Sequence, residues 1–445
     1  MIERSLDELY QDDPERADAV AFGRRSGPNR RGFLGGSGLA TMGTVVGASI
    51  PFAGNMPGGL VPAALAQGQA GDSPAAQKGP QLLNFPGKSD KLVVLGERPL
   101  VAETPEHLLD DDTTPTDKFF IRNNGHIPEP AREPETWKLV IDGEVHQKLE
   151  LTLADLKARF QQVTSRMVLE CGGNGRSFFS PAARGNQWTN GGVGCAEWTG
   201  VRLADVLAAA GLKPSAVFTG HYGADRSLAD ASKDALSRGV PIGKAMDPHN
   251  LIVWAMNGET LPNIHGGPLR LVIPGWPGSL SSKWLTRIWV RDKVHDGPGM
   301  GGTSYRITIK PMVPGDRPDS NNFKDMESMP VRSLITSPMN GTSFDKDVRE
   351  VKLRGTAWAG DLTVRRVDVS IDYGATWQEA ELGAPKNPYD WQRWTATVKL
   401  PSEGYFEIWT RATDARGIMQ PHTAGNWNPQ GYGANPMHRV AIRVA

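Results

Sequence analysis

The last third of the chain carries the pattern that most restricts its fold, an alternation of apolar and polar residues with a period of two. Val367, Val369 and Ile371 alternate with Asp368 and Ser370, and Tyr373-Gly374 marks a turn. Trp394, Ala396, Val398 and Leu400 repeat the alternation, followed by Phe406, Ile408, Thr410 and Ala412. Successive side chains of a strand point to opposite faces, so each run can bury one face and expose the other. Several such runs separated by turn residues, from about residue 330 to the end, predict a β-sandwich.

Upstream the texture is mixed. Thr152-Leu153-Ala154-Asp155 reads as a helix start, a hydroxyl cap followed three residues later by a carboxylate. Leu153, Leu156 and Phe160 give that helix an apolar face, and Val163 to Glu170 reads as a strand. A second helix is expected from Leu203 to about Ala210, with Gly211 past its end. A chain of 445 residues exceeds one small core. The expected class is α+β: a mixed domain over 85–310, a linker over 311–329 and the sandwich over 330–445.

The N-terminal region reads as a leader. Asn29-Arg30-Arg31-Gly32-Phe33-Leu34 precedes a weakly apolar, Gly/Ala-rich stretch, and Ala64-Leu65-Ala66 offers a small-x-small cleavage site. The paired arginines make 1–66 resemble a twin-arginine signal peptide. Residues 67–84 are then a flexible mature N-terminus, and the periplasm is the expected location. A membrane span needs about 20 predominantly apolar residues, and here glycines, serine and Pro51 interrupt the run, so no stable membrane anchor is expected. Lys+Arg and Asp+Glu balance at 49 each, leaving no net field to attract nucleic acid.

Only two cysteines occur, Cys171 and Cys195, too few for a four-thiolate zinc site or an iron–sulfur cluster. No CxxCH is present, so the chain carries no c-type haem attachment of its own. Gly297, Gly299 and Gly302 spell GxGxxG, but the strand-like Tyr305-Arg306-Ile307-Thr308-Ile309 follows where a dinucleotide fingerprint needs a helix. The informative window is Leu169-Glu170-Cys171-Gly172-Gly173-Asn174-Gly175-Arg176. Thiolate is a soft metal ligand, an adjacent cation favours it over the thiol, and glycines let a bulky group approach the backbone. Taken alone, the window fits a buried structural cysteine better than a metal ligand.

Its surroundings extend the pattern. Phe119-Phe120-Ile121-Arg122-Asn123-Asn124, the Cys171 window and Ala196-Glu197-Trp198-Thr199-Gly200-Val201-Arg202-Leu203 together resemble the sulfite oxidase family of molybdopterin oxidoreductases. So do Met256-Asn257-Gly258, His265-Gly266-Gly267-Pro268-Leu269-Arg270, Lys283-Trp284-Leu285, Asn426-Trp427-Asn428 and His438-Arg439-Val440, in the family's order. The resemblance implies a molybdopterin-binding domain followed by an immunoglobulin-like dimerisation domain, with molybdenum and molybdopterin as cofactor and Cys171 as metal ligand. It implies that Asn123, Asn124, Asp225, His265, Arg270, Ser281, Ser282 and Lys283 hold the pterin and its phosphate. It also implies an anionic substrate met by Arg122, Arg176, Arg184 and Arg366 beside Trp188. Guanidinium suits an oxyanion because it stays charged and donates paired hydrogen bonds. Arg366 lies in the sandwich region, so the site is expected near the domain junction. Cys195 reads as a packed residue, since a disulfide to Cys171 would remove the metal ligand.

Two positions depart from the family. Leu236 stands where an active-site tyrosine is usual, and Asn124 where many members have histidine. The combination is closest to the catalytic subunit of sulfane/sulfite dehydrogenase (SoxC-type) of bacterial thiosulfate oxidation. The implied reaction is oxidation of sulfite or of sulfane sulfur on a carrier protein. Electrons then pass to a separate c-type cytochrome, in a homodimer or heterotetramer. An exported molybdopterin sulfoxide reductase and a metal-free binding or scaffold protein are the alternative readings.

Overall fold

The structure is a computed structural model that describes residues 79–445; the expected signal peptide, and the expected flexible segment up to residue 78, lie outside the described residues. Residues 81–83, at the end of that segment, are pinned. Leu83 N–H donates to Leu92 O at 2.8 Å and Val94 N–H to Gln81 O at 2.8 Å. Leu83 itself is buried with Leu92, Ala102, Ile121 and Ile264.

The mixed domain is built from two five-stranded sheets and a small three-stranded one. In one large sheet, Val193–Arg202 lies between Gln162–Glu170 and Leu251–Met256, antiparallel to both. In the other, Leu285–Arg291 pairs in parallel with Lys138–Gly143 and antiparallel with Phe218–Gly223. Their facing apolar residues share one core with the two longer helices. Helix Leu153–Arg159 starts as the sequence predicts: Asp155 N–H donates to Thr152 Oγ1 at 3.0 Å, and Thr152 N–H returns to Asp155 Oδ2 at 2.8 Å. Helix Leu203–Ala210 ends at Gly211, whose φ of +68° is open to glycine at little cost. Among the described residues no helix is long and apolar enough to cross a membrane.

Residues from Arg332 onward form two packed sheets, with strands in the order 332–337, 350–358, 392–399, 381–382 and 342–344, 438–444, 404–414, 364–370, 378–379. Alternating Val351, Leu353, Val367, Val369, Trp394, Ala396 and Val398 fill the space between them. The observed class is therefore α+β with a C-terminal sandwich. Within the expected linker, Phe323–Asp325 pairs antiparallel with Arg306–Thr308, and Phe323 and Met326 are buried. This arm is held against the mixed domain.

The junction of the two domains is charged and dry. Arg332 and Glu170, 1% and 2% exposed, form an ion pair at 2.7 Å. Trp358 Nε1 donates to the other Glu170 oxygen at 2.7 Å. Glu170 is the last residue of its strand, so the sandwich grips the chain one residue before Cys171.

Candidate active site

Strand Gln162–Glu170 runs through nine register pairs with Val193–Arg202 and delivers Cys171 at its end. The turn beyond is tied at several points. Cys171 N–H donates to Gly192 O at 2.8 Å and Asn174 N–H to Cys171 O at 2.9 Å. The buried Asn174 side chain donates to Glu170 Oε1 and accepts from Gly192 N–H, both at 3.0 Å. Gly175 adopts φ +83°, and a Cβ there would meet Ala434 O at 2.7 Å. Only glycine closes this turn without displacing the sandwich. Cys171 is free and half-buried and opens onto a cavity that it shares with Arg122, His265, Arg270 and Lys283. Cys195 is also free and fully buried; its thiol donates to Asp390 Oδ1 at 3.4 Å, and burial pushes its pKa up. It is a packing residue.

The cavity also collects cations. Lys283 Nζ donates to Asn123 Oδ1 and Ile264 O, each at 2.7 Å. Arg270 Nη1 donates to His265 O at 2.9 Å, while its buried Nε–H has no partner. Burial lowers the Arg270 pKa to about 9. Burial, reinforced by Lys88, Lys283 and Arg270, holds His265 neutral, well below the ordinary histidine range. Behind His265, Lys88 Nζ lies 3.0 Å from Nε2 and donates to Thr116 O and Phe119 O; its burial lowers its pKa to about 7. Among the described residues none of Lys88, Arg270 or Lys283 makes an ion pair with a carboxylate. The cavity's acid is Asp225, whose pKa burial raises to about 6.

Buried cations with no carboxylate in ion-pair contact are costly, and the orphaned Arg270 Nε–H adds an unmet donor. A bound dianion such as a phosphate monoester answers both. A soft thiol and clustered cations in one cavity fit a phosphorylated, metal-bearing cofactor.

Every residue expected to hold the pterin lines the cavity: Asn123, Asn124, Cys171, Asp225, His265, Arg270, Ser281, Ser282 and Lys283. Arg122 lines it as well. The other substrate-side residues do not. Arg176 is buried, and its guanidinium is taken up by Gln430 O at 2.7 Å and Asn186 O at 2.8 Å, which makes it a brace of the Cys171 turn. Arg184 is exposed outside the cavity. Trp188 lies one layer back, edge-on to Phe120 with ring centroids 5.9 Å apart, and Phe120 supplies the wall. Arg366 sits on the outer side of the sandwich, where Asp368 binds it at 2.6 Å. The sandwich arginine that reaches the Cys171 turn is Arg332, which donates to Asn174 O at 2.6 Å and to Ala434 O. Leu236 lines the cavity, as does Tyr305, which stands in the turn before strand Arg306–Thr308 and not in the strand its sequence suggests. Lys88 precedes the blocks that carry the resemblance and gave no signal.

Comparison with known proteins decides the family. Residues 124–299 match the oxidoreductase molybdopterin binding domain, and residues 324–445 match the Mo-co oxidoreductase dimerisation domain. Mitochondrial sulfite oxidase of Rattus norvegicus is 35% identical over 387 residues, covering 84% of this chain and 69% of that one. The chain belongs to the sulfite oxidase family. Sulfite oxidase of Gallus gallus is 34% identical over 366 residues, covering 80% of this chain and 78% of its own. Among solved structures, the sulfane dehydrogenase SoxCD from Paracoccus pantotrophus aligns with a TM-score of 0.64 at 26% identity, over 85% of this chain and 96% of that one. As a sulfite oxidase family member with a SoxC-like fold, the chain is a molybdopterin oxidoreductase of the sulfite oxidase type, and its cofactor is molybdenum with molybdopterin.

Proposed function

We propose that this chain oxidises anionic reduced sulfur, with sulfane sulfur presented on a carrier protein as the preferred substrate and free sulfite as the secondary one. The observation that carries the reading is the gathering of Cys171, the unpaired cations and Leu236 around one cavity. Bound there, the molybdenum cofactor supplies two-electron oxidation of sulfur with oxygen transfer. Cys171 would bind the metal as thiolate, its backbone fixed by Gly192 and Asn174. Arg270, Lys283 and neutral His265 would hold the phosphate, with Asn123 orienting the Lys283 ammonium. Arg122 gives the substrate side a permanent cation, and Phe120 and Trp284 exclude water.

Leu236 gives its side of the cavity an apolar wall, although Tyr305 still brings a phenol to the lining, and that apolar side is what supports a substrate brought in on a protein arm over a small free oxyanion. In this reading the protein is exported folded by the twin-arginine route to the periplasm. It pairs through the sandwich as a homodimer and passes electrons to a separate c-type cytochrome.

The test is anaerobic reduction of the molybdenum-loaded protein, followed spectroscopically. Reduction by thiosulfate-loaded carrier protein and slow or no reduction by sulfite is the expected result. Rapid reduction by sulfite alone makes it an ordinary sulfite dehydrogenase despite Leu236.

A further inference from the structure

Two side chains that line the same cavity, Ser279 and Tyr305, lead back to a buried arginine that does not itself line it. Arg238 is 2% exposed. Its Nη1 donates to Ser279 Oγ at 2.8 Å, Ser279 lines the cavity, and its buried Nε–H has no partner. Among the described residues it makes no ion pair; the nearby Asp325 is already bound to Arg306 at 2.8 Å. What it has instead is a ring: its guanidinium carbon lies 4.4 Å from the centroid of Tyr305. Tyr305 lines the cavity and stacks on Tyr432 at 5.0 Å, and Tyr432 in turn lies against Gly172 beside Cys171. A cation on an aromatic face keeps part of its stabilisation after losing water, but an unmatched N–H still lacks an acceptor.

The backbone was shaped to place that ring. Tyr305 has φ +51°, a conformation a bulky residue rarely adopts and one that persists only where its surroundings enforce it. The glycine run before it explains how the chain arrives there. A Cβ on Gly297 would meet His295 Nε2 at 2.4 Å, and one on Gly299 would meet Leu236 Cδ1 at 2.4 Å. The GxGxxG pattern thus has no nucleotide to bind; it lets the chain pass closely over Leu236 and turn Tyr305 into the cavity.

We propose that Arg238, carried on the face of Tyr305, adds to Arg122 in selecting anionic sulfur groups in this cavity, acting through Tyr305 and Ser279. The proposal rests on the sulfur-oxidising reading, since the anionic group it requires is that of the sulfur substrate or its oxidised product. A buried cation with no ion pair of its own, its nearby carboxylate Asp325 already bound to Arg306, projects a positive potential into the low-dielectric cavity next to it. Arg238 is therefore a positioning residue for substrate, held by Ser279 and the Tyr305 ring.

The test measures binding of sulfate, a non-reacting oxyanion, to molybdenum-loaded wild type, Arg238→Gln, Arg238→Lys and Tyr305→Leu, with molybdenum content and melting temperature recorded for each. The expected result is a loss of sulfate affinity of tenfold or more in Arg238→Gln and a smaller loss in Arg238→Lys and Tyr305→Leu. Molybdenum content and melting temperature stay at wild-type values. In turnover, KM for the anionic substrate rises by a larger factor than kcat falls. Sulfate affinity within twofold of wild type in both Arg238 variants overturns the proposal, as does wild type that binds no sulfate, or molybdenum loss that parallels the loss of affinity. If sulfate binding depends on Arg238 while the wild type oxidises neither sulfite nor carrier-bound sulfur, the anion site stands and the sulfur-oxidising reading falls.

Discussion

Replacing Arg332 with methionine removes one half of the ion pair that joins the sandwich to the Cys171 strand. Both partners are nearly solvent-free, at 1% and 2% exposure, and Arg332 also holds Asn174 O of the turn. Methionine keeps much of the volume, so the cost is mainly that of Glu170 left buried and charged without its cation. Breaking one side of such a pair costs about 3–5 kcal/mol, a large share of the roughly 5–15 kcal/mol that keeps a domain folded. At about 2–4 °C per kcal/mol, melting should fall by roughly 6–20 °C. Trp358 Nε1 still donates to Glu170, so the lower end is the safer figure. The double replacement Glu170→Gln with Arg332→Met removes the stranded charge and should recover at least half of the loss. Thermal melts of the three proteins, with molybdenum content measured on each, give the comparison. A single variant that melts within 1 °C of wild type, or a double variant no better than the single, refutes the view that this pair holds the domains together.

Other changes have equally definite outcomes. Arg270→Leu should leave the cofactor-free protein no less stable, while lowering cofactor retention on the order of tenfold to a hundredfold, the value of one or two charge-assisted hydrogen bonds; unchanged retention in a dialysis assay argues that the cation cluster does not hold the phosphate. Gly175→Ala forces a Cβ toward Ala434 O at φ +83° and should cost about 1–3 kcal/mol in a denaturant titration; a neutral result means the turn relaxes freely. Burial, and then the neighbouring His295, lowers the His221 pKa to about 3, below its unfolded value of 6.5. Its contribution is therefore fully present above pH 6.5 and lost as pH falls toward 3. Glu103 and Asp225, raised by burial to about 7 and 6, act in the opposite sense, being most stabilising in acid. The clean observable is the difference between wild type and His221→Gln: between pH 6.5 and 4 the variant should lose stability less steeply, by at most about 1.4 kcal/mol per pH unit. Parallel slopes refute the assignment.

What could be read in the sequence was whatever short-range pattern controls. The Thr152–Asp155 cap, the strand into Cys171 and the alternation at Val367 and Val369 each depend on neighbours a few residues away. The cofactor residues were legible for another reason, since ordered blocks fixed His265, Arg270 and Lys283 together. The substrate side was not legible, because an arginine's task depends on which atoms its fork meets across the fold. Arg176 meets two carbonyls from distant loops, and Arg332 meets a carboxylate from the other domain. Arg366 could have been read correctly: with Val367 and Val369 inward, residue 366 shares the outward phase of Asp368, its observed partner. Arg238 and Tyr305 meet only because a glycine run folds one loop over another, and no local pattern encodes that encounter.

The most direct test of the account is molybdenum X-ray absorption of the loaded wild type beside Cys171→Ser. Arg270, Lys283 and His265 are untouched in the variant and should still retain the pterin. The account predicts that the variant loses one sulfur from the metal's first coordination sphere and with it the oxidation of sulfur. Spectra that superimpose would contradict it and remove Cys171 from the metal.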